Sequence, residues 1–118
     1  MNTNPEARTE KSESSEVPVA TLLAQIEVGA PPRILDVRSR AEYARGHVPG
    51  ALNVPFWMLR WRLRSIPGRR EDPLVVYCGY GPRAWLAGGL LRRRGFTDVV
   101  YLAGHFSQWR AAGLPEES

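Results

Sequence analysis

Cysteine is nearly absent from this sequence of 118 residues, in which Cys78 is the single one. An internal disulfide is therefore excluded, and because a lone thiol suits a reducing compartment, we expect the protein to be cytoplasmic. Long apolar runs are also missing. No stretch approaches the roughly 20 residues that cross a bilayer, and no apolar segment follows the charged N-terminus as it would in a secretory signal. The two histidines and the cysteine lie too far apart for a zinc pattern, so we expect no metal and no cofactor.

Acidic residues are scarce in the middle of the chain. Residues 17–113 hold fourteen bases and six acids, a net charge of +8, whereas the whole chain carries +4. This sign of charge attracts anions, a class that includes nucleic acids, acidic proteins and small anionic substrates.

Residues 1–16 have no aromatic or branched aliphatic side chain and cannot offset the entropy of ordering, so we predict a flexible tail there. A short C-terminal tail is predicted at 115–118.

Residues 17–114 alternate short apolar runs with helical patterns, which predicts one domain. The apolar runs predict five strands, at 17–19, 33–37, 51–55, 74–77 and 98–102. Helical patterns lie between and after them. The best marked is "SRAEYARGH", where Ser39 is a candidate N-cap, Glu42 completes a capping box and Gly46 ends the helix. This alternation favours an α/β fold with a parallel sheet covered on both faces, whose ligands bind beyond the carboxyl ends of the strands.

The segment "CGYGPR" lies between the fourth predicted strand and the next helix. The free N–H groups of the first helical turn and the helix dipole favour negative charge in such a loop. Gly79 and Gly81 can adopt positive φ, which lets N–H groups converge on an anion, and Pro82 suits the first helical position. Arg83 adds a permanent positive charge close to the sulfur. All of these effects stabilise a thiolate. Although most free cysteines are small buried hydrophobes, this pattern favours a reactive Cys78.

Three motifs resemble those of the rhodanese family. "CGYGPR" is similar to the active-site loop of that family, "ILDVRSRAEYARGHVPGALNVP" (Ile34–Pro55) resembles its upstream signature, and "VYLAGHFSQW" resembles its closing segment. The resemblance covers about residues 17–114. It implies a three-layer α/β/α fold with a five-stranded parallel sheet in the order 3-2-4-5-1.

The resemblance also implies sulfur transfer. Cys78 would attack the outer sulfur of thiosulfate or a similar donor, release sulfite and hold the sulfur as a persulfide for cyanide, a small thiol or a protein thiol. Arg83 would assist by its charge. The expected substrate-binding residues are those around them in the loop, namely Gly79, Tyr80, Gly81, Pro82 and Ala84.

Phosphatases and arsenate reductases on the same fold offer an alternative activity. Their loop has five residues between cysteine and arginine, which accommodates a phosphate-sized anion, whereas this sequence has four. The count favours sulfur over phosphate. The closing segment departs from the family, which usually has paired glycines where this chain has Gly104-His105. That difference and Pro82, which has no N–H, leave the preferred sulfur donor open.

The basic segment Phe56–Asp72, "FWMLRWRLRSIPGRRED", offers a different class of function. Its arginines and tryptophans could bind RNA or an acidic protein through phosphate contacts and stacking. The alternative is a helix over the sheet with solvated arginines and four partly buried side chains, Trp57, Leu59, Trp61 and Leu63. We favour this structural role and therefore do not expect a nucleic-acid partner.

Four further polar residues allow both a functional and a structural interpretation. His47, in a turn after a short helix, could be a general base but is expected to be structural. His105 follows the fifth predicted strand and could approach the active site or begin a helix. Asp36 and Arg38 could contact substrate but are expected to form an ion pair at a strand end.

Overall fold

The computed structural model of the protein describes residues 15–118. One parallel sheet contains five strands, β1 (Glu16–Val17), β2 (Arg33–Asp36), β3 (Leu52–Asn53), β4 (Leu74–Tyr77) and β5 (Val99–Leu102). Four α-helices accompany it among the described residues, α1 (Val19–Glu27), α2 (Arg40–Arg45), α3 (Pro82–Arg93) and α4 (His105–Ala111). The strands lie in the order 3-2-4-5-1, which confirms the predicted fold. Within residues 15–118, no helix has the length and apolar character needed to span a membrane.

The side chains of β4 alternate between the two faces of the sheet, as the pleat of a strand requires. Leu74 and Val76 pack in the apolar cluster that includes buried residues of α3. Val75 and Tyr77 pack in the opposite cluster, which includes buried residues of α1 and α4. The next residue, Cys78, continues the alternation and belongs to the α3 side. The side chain of Cys78, the residue that follows the strand, therefore lies in the layer between the sheet and α3.

Helix α2 begins and ends where the sequence predicts. Ser39 Oγ accepts the N–H of Glu42, and the carboxylate of Glu42 accepts the N–H of Ser39 at 3.0 Å. These reciprocal bonds confirm the capping box. Gly46 is the C-cap with φ +155, and a Cβ at this position would lie 2.3 Å from Glu116 Oε1. A capping box at its start and a glycine with positive φ at its end therefore delimit this helix.

Residues of both predicted tails make backbone hydrogen bonds where the structure describes them. Residues 1–14 of the N-terminal tail lie outside the described residues, but Glu16 is already in β1, and the carbonyl of Ser15 accepts the N–H of Tyr101 at 2.9 Å. At the other end, Glu117 exchanges two backbone hydrogen bonds with His47, at 2.8 and 2.9 Å. Backbone pairing therefore extends into both segments that were predicted as tails.

The segment 56–65, for which a helix over the sheet is the favoured interpretation, forms two 3₁₀ helices, at Phe56–Trp61 and Leu63–Ser65. With three residues per turn, Phe56 and Leu59 align on one side of the first of these helices, and Leu59 is fully buried. Trp57 and Trp61 lie off that side and are 51% and 73% exposed. The expectation that both tryptophans are partly buried is wrong for Trp61, and Trp57 is also more exposed than a packed side chain.

Candidate active site

Cys78 follows β4 directly, and its side chain lies inside the fold. The residue is 0% exposed, and its Sγ accepts the N–H of Gly81 at 3.0 Å. The start of α4 fixes the loop backbone, because Phe106 N–H donates to the Cys78 carbonyl at 2.9 Å and Ser107 N–H donates to the Gly79 carbonyl at 3.1 Å. An N–H directed at the sulfur stabilises negative charge on it. The thiol therefore has a hydrogen-bond donor directed at its sulfur, and the backbone of Cys78 and Gly79 is held by α4.

The two glycines of the loop have different roles. Gly81 has φ +138, and a Cβ at this position would lie 3.3 Å from Nε2 of His105. Gly79 is not in the positive-φ region, and a Cβ there would meet only the end of the Arg83 guanidinium, at 3.3 Å. The expectation that both glycines use positive φ is therefore wrong for Gly79. Only Gly81 both requires glycine and donates to the sulfur.

The other loop residues differ in exposure. Tyr80 is 83% exposed, and Pro82 is the first residue of α3. Ala84, also in α3, is buried on the side of that helix that faces the sheet. A cavity of about 420 Å³ borders the loop and is lined by Arg38, Glu42, Gly79, Tyr80, Phe106, Ser107, Arg110 and Ala111. Of the expected substrate-binding residues, Gly79 and Tyr80 line this cavity.

Arg83 forms an ion pair that sequence reasoning missed. Its guanidinium donates to both carboxylate oxygens of Glu42, at 2.6 and 3.1 Å. These bonds are the main cause that lowers the pKa of Glu42 to about 2. The positive charge predicted to act on the sulfur is therefore shared with a carboxylate. Glu42 was identified from its spacing to Ser39, and nothing in that local pattern indicates a partner 41 positions away.

We expect Glu42→Gln to lower the free energy of unfolding by about 1–2 kcal/mol at neutral pH, because glutamine keeps the capping bond but loses the charged pair. The folded-state pKa of Glu42 is depressed to about 2 from an ordinary value of 4.5. The stabilisation is therefore fully present above about pH 4.5 and is lost as the pH falls towards about 2.

Urea unfolding of the wild type and of Glu42→Gln at several pH values measures this difference. Glu71→Gln is the matched control, because the pair of Glu71 with Arg69 is exposed and should contribute less than about 0.5 kcal/mol. A difference between wild type and Glu42→Gln that stays constant from pH 7 to pH 3 would contradict the prediction.

The expected ion pair between Asp36 and Arg38 is present and buried. The guanidinium of Arg38 donates to Asp36 Oδ2 at 2.8 Å and to the carbonyl of Gly46 at 2.6 Å. Asp36 is 0% exposed and also accepts the backbone N–H of Arg38 at 2.9 Å. The guanidinium carbon lies 4.2 Å from the ring centroid of Phe106. The pair thus connects the end of β2 to α2 and to the wall of the cavity.

The two histidines occupy different environments. His47 stacks on Tyr43 with ring centroids 3.6 Å apart, and its Nδ1 lies 2.8 Å from the Tyr43 carbonyl, in agreement with the structural role predicted for it. His105 is 4% exposed, and its Nδ1 lies 3.2 Å from the backbone nitrogen of Cys78. The structure therefore brings His105, and not His47, to the loop of the thiol.

Comparison with known proteins places this arrangement in a family. The family described as Rhodanese-like domain matches residues 19–112. A curated relative named "Sulfurtransferase", from Allochromatium vinosum, is 35% identical over 82 residues, which cover 70% of this chain and 75% of that protein. "Thiosulfate sulfurtransferase GlpE" of Pseudomonas fluorescens is 32% identical over 99 residues, which cover 84% and 87%.

A solved structure has the same fold. The Alr3790 protein from Anabaena sp. superposes with a TM-score of 0.78 at 34% sequence identity, over 86% of this chain and 82% of that one. The fold is thus shared with a protein whose structure has been solved.

Proposed function

Because the chain belongs to the rhodanese-like domain family, we propose that it is a thiosulfate-type sulfurtransferase that carries sulfur as a persulfide on Cys78. A sulfurtransferase role in general is supported by relatives that bear this name. The observation that carries the finer proposal is the hydrogen bond from Gly81 N–H to Sγ, at 3.0 Å. It provides an electrostatic partner for a sulfur anion at the end of a strand.

The proposed reaction has two displacements, both at sulfur. The thiolate of Cys78 attacks the outer sulfur of thiosulfate, a new S–S bond forms, the S–S bond of the donor breaks, and sulfite leaves with the electron pair. Cyanide or a thiol then attacks the terminal sulfur of the persulfide, and Cys78 leaves as the thiolate. No net oxidation or reduction is required. We propose that this exchange takes place in the cytoplasm, where a thiol acceptor is reduced.

The cavity beside the loop supports an anionic donor. Two of its lining side chains, Arg38 and Arg110, are cationic, and Gly79 places the loop backbone at its edge. Arg38 is held by Asp36 and Arg110 by Glu116, so each guanidinium offers only part of its donor capacity. Tyr80 also lines this cavity and is largely exposed. We propose that the donor binds here while Gly81 N–H stabilises the sulfur of Cys78.

A second candidate is the binding module formed by the basic segment. The exposure of Trp57 and Trp61, at 51% and 73%, favours it over the purely structural role expected from the sequence. The guanidinium of Arg60 lies 5.1 Å from the ring of Trp61, so one cation is already placed on the face of a tryptophan. RNA or an acidic protein could stack and pair on such a surface. Binding of this kind involves no covalent step, which separates it from sulfur transfer.

Intact-mass measurement after incubation with thiosulfate tests the proposed function. We expect the mass to increase by one sulfur atom, with release of one equivalent of sulfite, and cyanide should then remove the adduct as thiocyanate. Sulfate and sulfite, which are anions without a transferable sulfur, are the matched control compounds and should leave the mass unchanged. A mass that stays constant with thiosulfate and with organic persulfide donors would overturn the proposal and favour the binding module.

A further inference from the structure

His105 has a backbone conformation that is uncommon for residues other than glycine. It is the one non-glycine residue with positive φ within residues 15–118, at +57. Backbone of this kind is costly for most L side chains. The ring is also 4% exposed, and burial separates its two polar nitrogens from water. A residue kept under both penalties needs compensation from its contacts.

The contacts of the imidazole are made with the loop of the thiol. Pairing between β4 and β5 ends at Val76 and Tyr101, so the N–H of Cys78 has no strand partner on β5. It donates instead to Nδ1 of His105, at 3.2 Å. The other edge of the ring lies against Gly81, where Nε2 and Cδ2 are 3.3 and 3.5 Å from the position of an ideal Cβ. One ring therefore contacts both the residue that carries the sulfur and the residue that donates to it.

The hydrogen bond defines where the proton of the ring lies. A nitrogen that accepts an N–H carries no proton, so the neutral imidazole holds its proton on Nε2. Burial lowers the pKa of His105, and the carboxylate of Glu16 on β1 opposes this shift. The other titratable groups near the ring are Tyr101 of β5, with ring centroids 6.3 Å apart, and Cys78 itself. Protonation of the ring would place a donor against the N–H of Cys78 and break the bond.

We propose that His105 is a positioning residue for sulfur loading, whose neutral imidazole holds the backbone amide of Cys78 and supports Gly81 so that the Gly81 N–H stays directed at Sγ. The functional part of this inference rests on the proposed sulfurtransferase activity. The hydrogen bond that it requires exists in the resting protein and is measurable without any turnover.

Two substitutions separate this role from simple packing. His105→Gly fits the positive φ but removes the acceptor, and we expect the rate constant of sulfur loading to fall about tenfold, the effect of losing a hydrogen bond of ordinary net strength. His105→Asn also tolerates this backbone, and its Oδ1 can accept the same N–H without titrating. We therefore expect it to recover loading to within about threefold of the wild type. Thermal melts of both variants check that the differences do not follow stability.

NMR of the ¹⁵N-labelled full chain tests the bond itself. We expect a scalar coupling through the hydrogen bond between the Cys78 amide nitrogen and Nδ1 of His105, with the ring proton on Nε2. As the pH falls through the pKa of His105, this coupling should disappear and the Cys78 amide resonance should move, whereas in His105→Asn the amide should show no such step. A proton found on Nδ1 at neutral pH would overturn the proposal, as would wild-type loading by His105→Gly. If the wild type takes up no sulfur, the coupling still decides whether His105 holds the loop.

Discussion

Cys78→Ser is expected to abolish sulfur loading, with no detectable mass increase after incubation with thiosulfate. A serine hydroxyl is not ionised at neutral pH and cannot form the S–S bond that holds the transferred sulfur. Cys78 is the single cysteine of the chain, so no other thiol can take over. The Gly81 N–H that now donates to Sγ at 3.0 Å can donate to the smaller hydroxyl, and we expect the fold to be kept, with a loss of about 1 kcal/mol in unfolding free energy.

Intact-mass spectra and denaturant unfolding of the same samples check both parts of this prediction. Cys78→Ala, which also lacks the nucleophile but introduces no buried hydroxyl, is the matched control and should be equally inactive. A thiosulfate-dependent adduct on either variant would show that the sulfur is not carried by Cys78. Loss of the folded state in both variants would instead assign the thiol a structural role.

Gly81→Ala is expected to reduce the rate constant of sulfur loading by about a hundredfold. The positive φ of Gly81 costs an L side chain roughly 1–3 kcal/mol, and displacement of its N–H from the sulfur loses a further contribution of about 1 kcal/mol. A Cβ would also lie 3.3 Å from Nε2 of His105. Since His105 holds the amide of Cys78, a shift of the ring would disturb both ends of the loop.

Two other glycines, one in the same loop and one in α3, are matched controls for this substitution. At Gly79 a Cβ meets only the flexible end of Arg83, so Gly79→Ala should cause a much smaller loss, of about threefold. Gly89 lies within α3 and away from the loop, where a Cβ makes an ordinary contact of 3.6 Å, and Gly89→Ala should leave loading unchanged. Stopped-flow or quenched loading rates measure all three variants. Equal losses for Gly79→Ala and Gly81→Ala would refute the distinction between the two glycines.

The sequence was sufficient for features that depend on neighbouring residues. The capping box of Ser39 and Glu42 was predicted and is present, because both of its bonds form within one turn of helix. The position of Cys78 between a buried strand and a helix was also predicted, since apolar patterning and the glycine-proline pair mark both boundaries. The strand order came from the resemblance to a family and not from the patterning, which does not determine which strands are neighbours.

The sequence was insufficient where a residue's role depends on a distant partner. The sequence predicts that Trp61 is partly buried, but in the 3₁₀ helix its side chain is 73% exposed. The sequence likewise predicts that the positive charge of Arg83 acts on the sulfur, but its guanidinium pairs with the carboxylate of Glu42 in α2. The type of helix that exposes Trp61 and the carboxylate that binds Arg83 cannot be identified from the residues adjacent to either side chain.

By itself the sequence determined a parallel α/β domain with one thiol in a glycine-containing loop at the end of a strand, because hydrophobic periodicity, capping and turn residues act over a few positions. Only the tertiary structure decided that Gly81 rather than Gly79 donates to that thiol and that His105 accepts the amide of Cys78. The contact between Cys78 and His105 forms just beyond the carboxyl ends of β4 and β5, between residues 27 positions apart in the chain. A buried amide must find an acceptor wherever the fold places one, and that acceptor cannot be identified from the residues beside Cys78.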